Sequence, residues 1–471
     1  MLQRCHPLPL ALLSLVLYVA DTQQQQQLSL DALSIFSSAS TLTIPSYDGT
    51  VVITVALCGN PAGTTPSVIL TNSSTGTPTE NNVGTQDVFE ITLEEGLGSW
   101  AGSIIQGGTL AITNTGQTTY EVGASTDPGQ PTHQYLGQNG LLFGDSTGTQ
   151  AVFFSSPFES IQVTQPSFPN YTLPTVQAPF SASQPSSTPQ FNLTIVETSS
   201  ASGLLTQSSC ALMKTSSAGT VKSQTNWIRD ETEGWRWKWL VEGLTPGTNY
   251  SAFISQDNRD VSGPLYFTTK STSFSCPLVD GLSYCPGVSW AVPLPAPPNS
   301  DTTYNSSNLP TQITDPLQQY IANFTASLTI IGCGRDIYSP IQTCADCQRE
   351  YRRWLCAVSF PRCGEPRADE SSLGRDPSLT TALASPTGQP RNPNFPQVDG
   401  GFVELLPCLE TCQATDRACP YHVGFQCPLK AFNAANSYGV GFIDSGDVGV
   451  EGKGLTGVSQ DVFGNVWCNS G

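Results

Sequence analysis

Charge is scarce in this chain. Asp, Glu, Lys and Arg make up 12% of its 471 residues, about half of the roughly 25% usual in soluble domains. Basic residues are scarcer still, with 19 Lys and Arg against 37 Asp and Glu and a net charge of −18. That balance excludes nucleic acid as a partner, because phosphate backbones are held by clustered Lys and Arg. Histidine is almost missing: past the N-terminal leader only His133 and His422 remain, too few for a His-based triad or a multi-His metal site. After the leader no stretch reaches 18 uncharged apolar residues, so no further membrane span is expected. The last residues, Val466 to Gly471, carry no lipid-anchor tail. Catalytic constellations are lacking as well. Glu94 with Glu95, and Glu231 with Glu233, fall in turn or exposed-strand contexts where solvation is the ordinary role. We therefore expect no enzyme and no cofactor.

Cysteine, by contrast, is plentiful, with fifteen in the chain. Cys5 sits in a segment that starts basic at Arg4, runs apolar from Leu8 to Ala20 and continues into Asp21, Thr22 and a Gln tract. This pattern predicts a secretory signal peptide over residues 1–20. An uncleaved anchor is the other reading, although the run is short of the roughly 20 residues a span requires. With Cys5 gone, fourteen cysteines remain, and an oxidising compartment would join them in seven disulfides. Sequons at Asn72, Asn170, Asn192, Asn249, Asn305 and Asn323 predict a glycoprotein.

Residues 28–165 read as an all-β unit, a sandwich or jelly roll, from short runs such as Val51 to Val55, Val88 to Leu93 and Thr109 to Thr113 between Gly, Asn, Pro and Asp clusters. Six prolines among Ser and Thr mark 166–189 as a stiff linker. A second β unit spans 190–272. In it Trp235, Trp237 and Trp239 alternate to one face, as core or as a sugar-stacking platform, core being the usual role of such a face. The run from Leu244 to Tyr250 resembles the tyrosine corner of fibronectin type III domains. From Cys276 the composition changes, with twelve of the cysteines in the remaining residues 276–471. Asp315-Pro316 reads as a helix start, followed by Leu317, Tyr320, Ile321, Phe324 and Leu328 at helical spacing. Further helices are predicted over 344–358, with Cys347, Tyr351, Trp354, Leu355 and Val358 on one face, and over 406–418. Residues 364–400 read as an exposed loop. Asp257 to Asp260 and Asp444 to Asp447 superficially suggest calcium loops but lack the EF-hand spacing, so turns are favoured.

The cysteine spacing is the most specific signal. Cys347-x8-Cys356-x6-Cys363 precedes Cys408-x3-Cys412-x6-Cys419, with Cys276-x8-Cys285 upstream and Cys427 and Cys468 downstream. This order resembles the cysteine-rich domain of frizzled receptors, a small helical bundle stapled by disulfides. Cys344 and Cys347 also form a C-x2-C pair, but no second metal half with His accompanies it. Together with the signal peptide and the motif Cys58-Gly59-Asn60-Pro61, the chain resembles the fungal stretch-activated calcium channel regulatory subunits of the mating-induced death family.

The resemblance implies two N-terminal all-β sandwich-like domains followed by a disulfide-rich, mainly α-helical frizzled-like domain at 276–471. It implies the pairs Cys276–Cys363, Cys285–Cys356, Cys347–Cys419, Cys412–Cys427 and Cys408–Cys468, leaving Cys333 with Cys344 and Cys58 with Cys210. It also implies an extracellular or lumenal regulatory subunit at the plasma membrane and endoplasmic reticulum. Such a subunit promotes calcium entry with a pore-forming calcium channel alpha subunit, and is held at the membrane by that partner or by an uncleaved leader. Two rivals stand beside it: a secreted lipid- or ligand-binding glycoprotein, and a cell-wall glycosidase working through two carboxylates. Arg349, Arg352 and Arg353 form the one basic cluster on this acidic chain. They are either a solvated helix face or the best candidate for a partner contact.

Overall fold

Runs of β-branched residues suit a pleated, buried surface, and in the computed structural model they build two sandwiches. The structure describes residues 26–59, 66–73, 78–85, 87–116, 118–161, 176, 183–299, 301–330, 338–365, 383–384, 389–398, 402–429, 432–434, 437–439 and 468–470; the predicted signal peptide lies outside them. Strands β1 (Gln26–Gln27), β2 (Ala32–Phe36), β3 (Ser40–Ile44), β4 (Tyr47–Leu57), β5 (Ser67–Thr71), β6 (Val88–Glu90), β7 (Leu97–Ile104), β8 (Gly108–Thr113) and β9 (Tyr120–Ser125) form the first. Its sheets have the orders β1-β3-β8-β5-β6 and β2-β9-β4-β7. Val51, Ile53, Val55 and Leu57 alternate into a core shared with Leu42, Val68, Leu70, Leu110 and Ile112. The residues between them on β4 are buried too, because the next unit covers that face. There Thr54 Oγ1 lies 2.9 Å from Nδ1 of buried His133, and Ala56 packs with the Cys58–Cys210 bridge.

The second sandwich corrects the boundary read from the sequence. Strands β10 (Gln134–Tyr135), β11 (Leu141–Ser146) and β12 (Gln150–Ser155) do not close the first unit. β10 and β12 pair with strands about 80 to 130 residues away and β11 with β12, together with β13 (Phe191–Glu197), β14 (Thr220–Ile228), β15 (Trp235–Glu242), β16 (Asn249–Gln256) and β17 (Asp260–Thr268), in sheets β10-β17-β16-β13 and β11-β12-β15-β14. β12 runs antiparallel to β15 from Gln150 opposite Glu242 to Phe154 opposite Lys238. The physical reason is aromatic: Phe143 packs tilted and Phe153 edge-on against Phe267 at 5.1–5.2 Å, surface that the second core needs. The proline-rich stretch therefore joins two strands of one sandwich, β12 and β13, rather than two domains; residues 162–175 and 177–182 of it lie outside the described ones.

Trp239 is fully buried in this core, edge-on to Phe191, and Trp237 packs partly against it, so the alternating tryptophans are core. The tyrosine corner is present: the Thr245 amide donates to the buried Tyr250 hydroxyl at 2.9 Å. On the opposite face of β12 and β15, Val152, Phe154 and Leu240 pack against Cys276, Leu278, Ala291, Cys363 and Phe402, and Lys238 reaches Asp280 at 2.8 Å. This face carries the cysteine-rich unit.

That unit comprises β18 (Leu278–Asp280), β19 (Ser289–Ala291), β20 (Thr303–Tyr304), β21 (Arg362–Gly364), β22 (Leu383–Ala384) and β23 (Val403–Leu405) with three helices. A short helix α1 (Ser209–Lys214) belongs to the second sandwich; α2 (Thr311–Ile330), α3 (Cys344–Ser359) and α4 (Leu409–Ala418) belong here. α2 starts a turn before Asp315-Pro316, which lies inside it. The Pro310 carbonyl accepts from the Ile313 and Thr314 amides, so the first turn is already made. α3 is set by a capping box: the Thr343 hydroxyl accepts from the Asp346 amide at 3.3 Å, and the Asp346 carboxylate accepts from the Thr343 amide at 2.8 Å. Leu355 and Cys356 of α3 bury against Leu317 and Ile321 of α2, with Tyr351, Trp354 and Val358 packed around them.

Disulfides join Cys276 to Cys363, Cys285 to Cys356, Cys347 to Cys419, Cys408 to Cys468 and Cys412 to Cys427. Cys344 is disulfide-bonded too; its expected partner Cys333 lies outside the described residues. The C-x2-C pair is thus split between different bridges, and neither sulfur is a free thiolate for zinc. Helices here share the unit with two three-stranded sheets, and the described chain as a whole is mostly β.

Candidate functional site

The polar residues converge at one seam, where the second sandwich meets α3. The turn from β14 to β15 is shaped by Asp230, whose carboxylate accepts from the Thr232 amide and whose carbonyl accepts from Glu233 and from Gly234. Gly234 has φ +96, and a Cβ there would meet the Glu159 carbonyl, so glycine is required. This turn points Arg229, Asp230, Glu231 and Glu233 toward the α3 face that carries Ala345, Gln348, Arg349, Arg352, Arg353 and Cys356 at helical spacing. Residues 285–288, held by Cys285–Cys356, form the floor, and Ser470 closes one side. The result is a cavity of about 170 Å³.

Its charges are unequally satisfied. Arg349 is held by Asp346 at 2.7 Å, Glu350 at 3.1 Å and Glu231 at 3.6 Å. Burial pulls its pKa down, but Asp346 and Glu350 outweigh it and raise it above its ordinary value. Burial pushes the Glu231 carboxyl up, against the pull of Arg349. Arg353 is the most exposed of the α3 arginines; it lies 4.0 Å from Asp230 and donates from Nε to the Ser470 carbonyl. Burial draws the Arg229 guanidinium down to about 10, and the nearby charge of Arg353 adds to the shift. Arg352 is 6% exposed. Burial brings it to about 10 as well, with Glu231 opposing. Its Nε and Nη1 are buried and find no acceptor among the described residues.

The three arginines singled out by the sequence therefore come together, but not as an open basic face. Arg352 is a buried wall, Arg349 is an internal ion pair, and Arg353 alone reaches well into solvent. Glu231, expected to be solvated, is buried against α3. Glu233 instead pairs with Arg236 at 3.2 Å. Sequence reasoning missed Arg229 and Asp230; four charges crowded between Arg229 and Glu233 in so uncharged a chain were the available signal. Glu94 and Glu95 lie at a tight turn with Glu95 at φ 43. Asp257 and Asn258 both have positive φ between β16 and β17, an ordinary hairpin turn. Asp444 to Asp447 lie outside the described residues. Of the sequons, Asn192, Asn249 and Asn323 are exposed, Asn72 and Asn305 are half-buried, and Asn170 lies outside the described residues. The metal-like groupings among the described residues use cysteines already joined in disulfides.

Fold and seam together define a class: disulfide-stapled β-sandwich proteins whose second sandwich supports a cysteine-rich unit with a cationic pocket at the joint. The chain belongs to the Mid1 family, described as the stretch-activated Ca²⁺-permeable channel component, whose pattern matches residues 50–451. Relatives include the stretch-activated cation channel MID1 of Cryptococcus neoformans, 34% identical over 407 residues (77% of this chain, 64% of that protein). The stretch-activated cation channel yam8 of Schizosaccharomyces pombe is 30% identical over 48% of this chain and 47% of its own length. MID1 of Saccharomyces cerevisiae is 34% identical over 40% of this chain and 34% of its own. The chain thus spans from about a third to just under two thirds of the curated relatives it matches. Among the described residues no helix is long and apolar enough to cross a membrane.

Proposed function

We propose that this chain is an extracytoplasmic regulatory subunit of a stretch-activated calcium channel, acting with a separate pore-forming subunit of the voltage-gated type. The observation that carries the reading is the family match across 50–451. The oxidised cysteine framework suits the secretory pathway and the cell surface, with residence at the plasma membrane and endoplasmic reticulum. We read the cysteine-rich unit as frizzled-like on the order in which its bridges join, and as the part that docks on the pore subunit. Arg353 is exposed at the rim of the seam, which supports reading it as the α3 arginine that meets an acidic partner surface.

Cells lacking this chain should lose the rise in calcium uptake that follows hypo-osmotic swelling, and regain it when the full chain is restored. Tracer calcium uptake before and after swelling checks this. Unchanged uptake in the deleted cells would remove the channel reading.

A further inference from the structure

The geometry points to a second role for the seam: the cavity walled by Arg229, Arg349, Arg352 and Arg353 binds a small free oxyanion of the phosphate or carboxylate class. Four guanidiniums line it against Asp230, Glu231 and Glu233. Those carboxylates are engaged elsewhere on the wall: Glu231 with Arg349, Glu233 with Arg236, and Asp230 in its own turn and beside Arg353. Arg352 has no carboxylate within ion-pair distance among the described residues, and two of its buried nitrogens lack an acceptor. Buried polar groups are almost always satisfied, and an unsatisfied charged donor is costly. Nε and Nη1 leave the planar guanidinium along different edges, so two acceptor atoms are needed. An anion with several oxygens supplies one of them, and a water beside it the other.

Size narrows the ligand. The cavity's 170 Å³ holds several waters at about 30 Å³ each, or one compact anion. It falls below the roughly 300–1,000 Å³ of sites for drug-sized ligands, which favours a compact anion over a bulky ligand. Position gives the anion a consequence. The walls come from the β14–β15 turn, from α3 and from the floor at 285–288, so a bound anion ties the sandwich to the cysteine-rich unit. A ligand that binds only the folded arrangement must stabilise it. This inference does not depend on the channel reading, since it concerns the isolated chain.

The test uses the purified, glycosylated full chain, with titration calorimetry and thermal unfolding. Phosphate and sulfate form one arm, acetate and citrate the other, each against chloride at matched ionic strength. Saturable binding in either arm, with a rise in melting temperature, is expected; the arm that responds identifies the oxyanion. Arg352→Gln should abolish it. Because that change is buried, Arg353→Gln at the exposed rim is the second variant. It should keep the wild-type melting temperature in chloride while weakening the anion roughly tenfold, as loss of one charge-assisted contact would. The inference fails if no anion gives saturable heat up to about 10 mM, a limit set well above a millimolar dissociation constant. It also fails if Arg353→Gln binds with wild-type affinity, which would place any binding elsewhere or mark it as ionic-strength response only.

Discussion

Replacing Asp145 with alanine should lower the melting temperature by about 6–20 °C, from a cost of about 3–5 kcal/mol for stripping a buried ion pair of one partner. Asp145 sits in β11 with almost no exposure. It accepts from Lys270 Nζ at 2.6 Å, Arg362 Nε at 3.1 Å and the Ser146 and Ala291 amides at 2.8 and 3.0 Å. Lys270 follows the last strand of the second sandwich, whereas Arg362 and Ala291 belong to the cysteine-rich unit, so one carboxylate joins the two. Its loss strips the buried Arg362 and the half-buried Lys270 of their shared counter-charge, leaving Lys270 only the weaker pull of Glu365. Burial alone would push the Asp145 carboxyl up, but Arg362 and then Lys270 outweigh it and hold it at about 2, below its ordinary 3.8.

The folded state therefore binds this proton less tightly than the unfolded chain. The stabilisation, about 2 kcal/mol by linkage, is complete above about pH 4 and is lost as pH falls through about 2. Burial draws Lys270 down against the pull of Asp145, which offsets part of it. Melting curves of wild type and Asp145→Ala between pH 7 and pH 2 check both statements. The difference between the two proteins should shrink toward the acid end; equal stability at pH 7 would show that the junction is held by apolar packing alone.

Removing the Cys285–Cys356 bridge, as Cys285→Ala with Cys356→Ala, should abolish stretch-evoked calcium uptake by trapping the chain in the endoplasmic reticulum. The bridge closes a loop of 71 residues, which in the chain-entropy picture corresponds to about 4 kcal/mol, a large share of a marginal stability. It also fixes 285–288 against α3 and so holds the floor of the cavity. Surface biotinylation beside calcium uptake separates the outcomes. Retention with lost uptake is expected, whereas normal surface delivery with lost uptake would mean that the bridge serves the channel rather than the fold.

What could be read from the sequence was local. Val51 to Val55 carries its strand in its side chains, Thr343 and Asp346 cap α3 three residues apart, and Tyr250 sits five residues from the amide it caps. Long-range pairing was not legible. Val152 opposite Leu240 leaves no mark in either segment, so in sequence β10 to β12 read with the unit beside them. The basic cluster on α3 was visible, but not its burial, because Arg229 to Glu233 arrive from more than a hundred residues upstream and the floor depends on Cys285. Asp145 and Arg362 had a signal that went unread: a single charge inside an apolar strand, and one next to a bridging cysteine. Each is dear to bury unless something answers it.

The most direct measurement of the central claim is affinity purification of the tagged full chain from detergent-solubilised membranes, with quantitative mass spectrometry. One large multi-span cation-channel protein should be recovered in fixed ratio to the chain, and recovered poorly with an Arg353→Glu variant that folds and reaches the surface normally. Purification of the wild-type chain without any multi-span partner, from cells that show normal stretch-evoked calcium uptake, would contradict it.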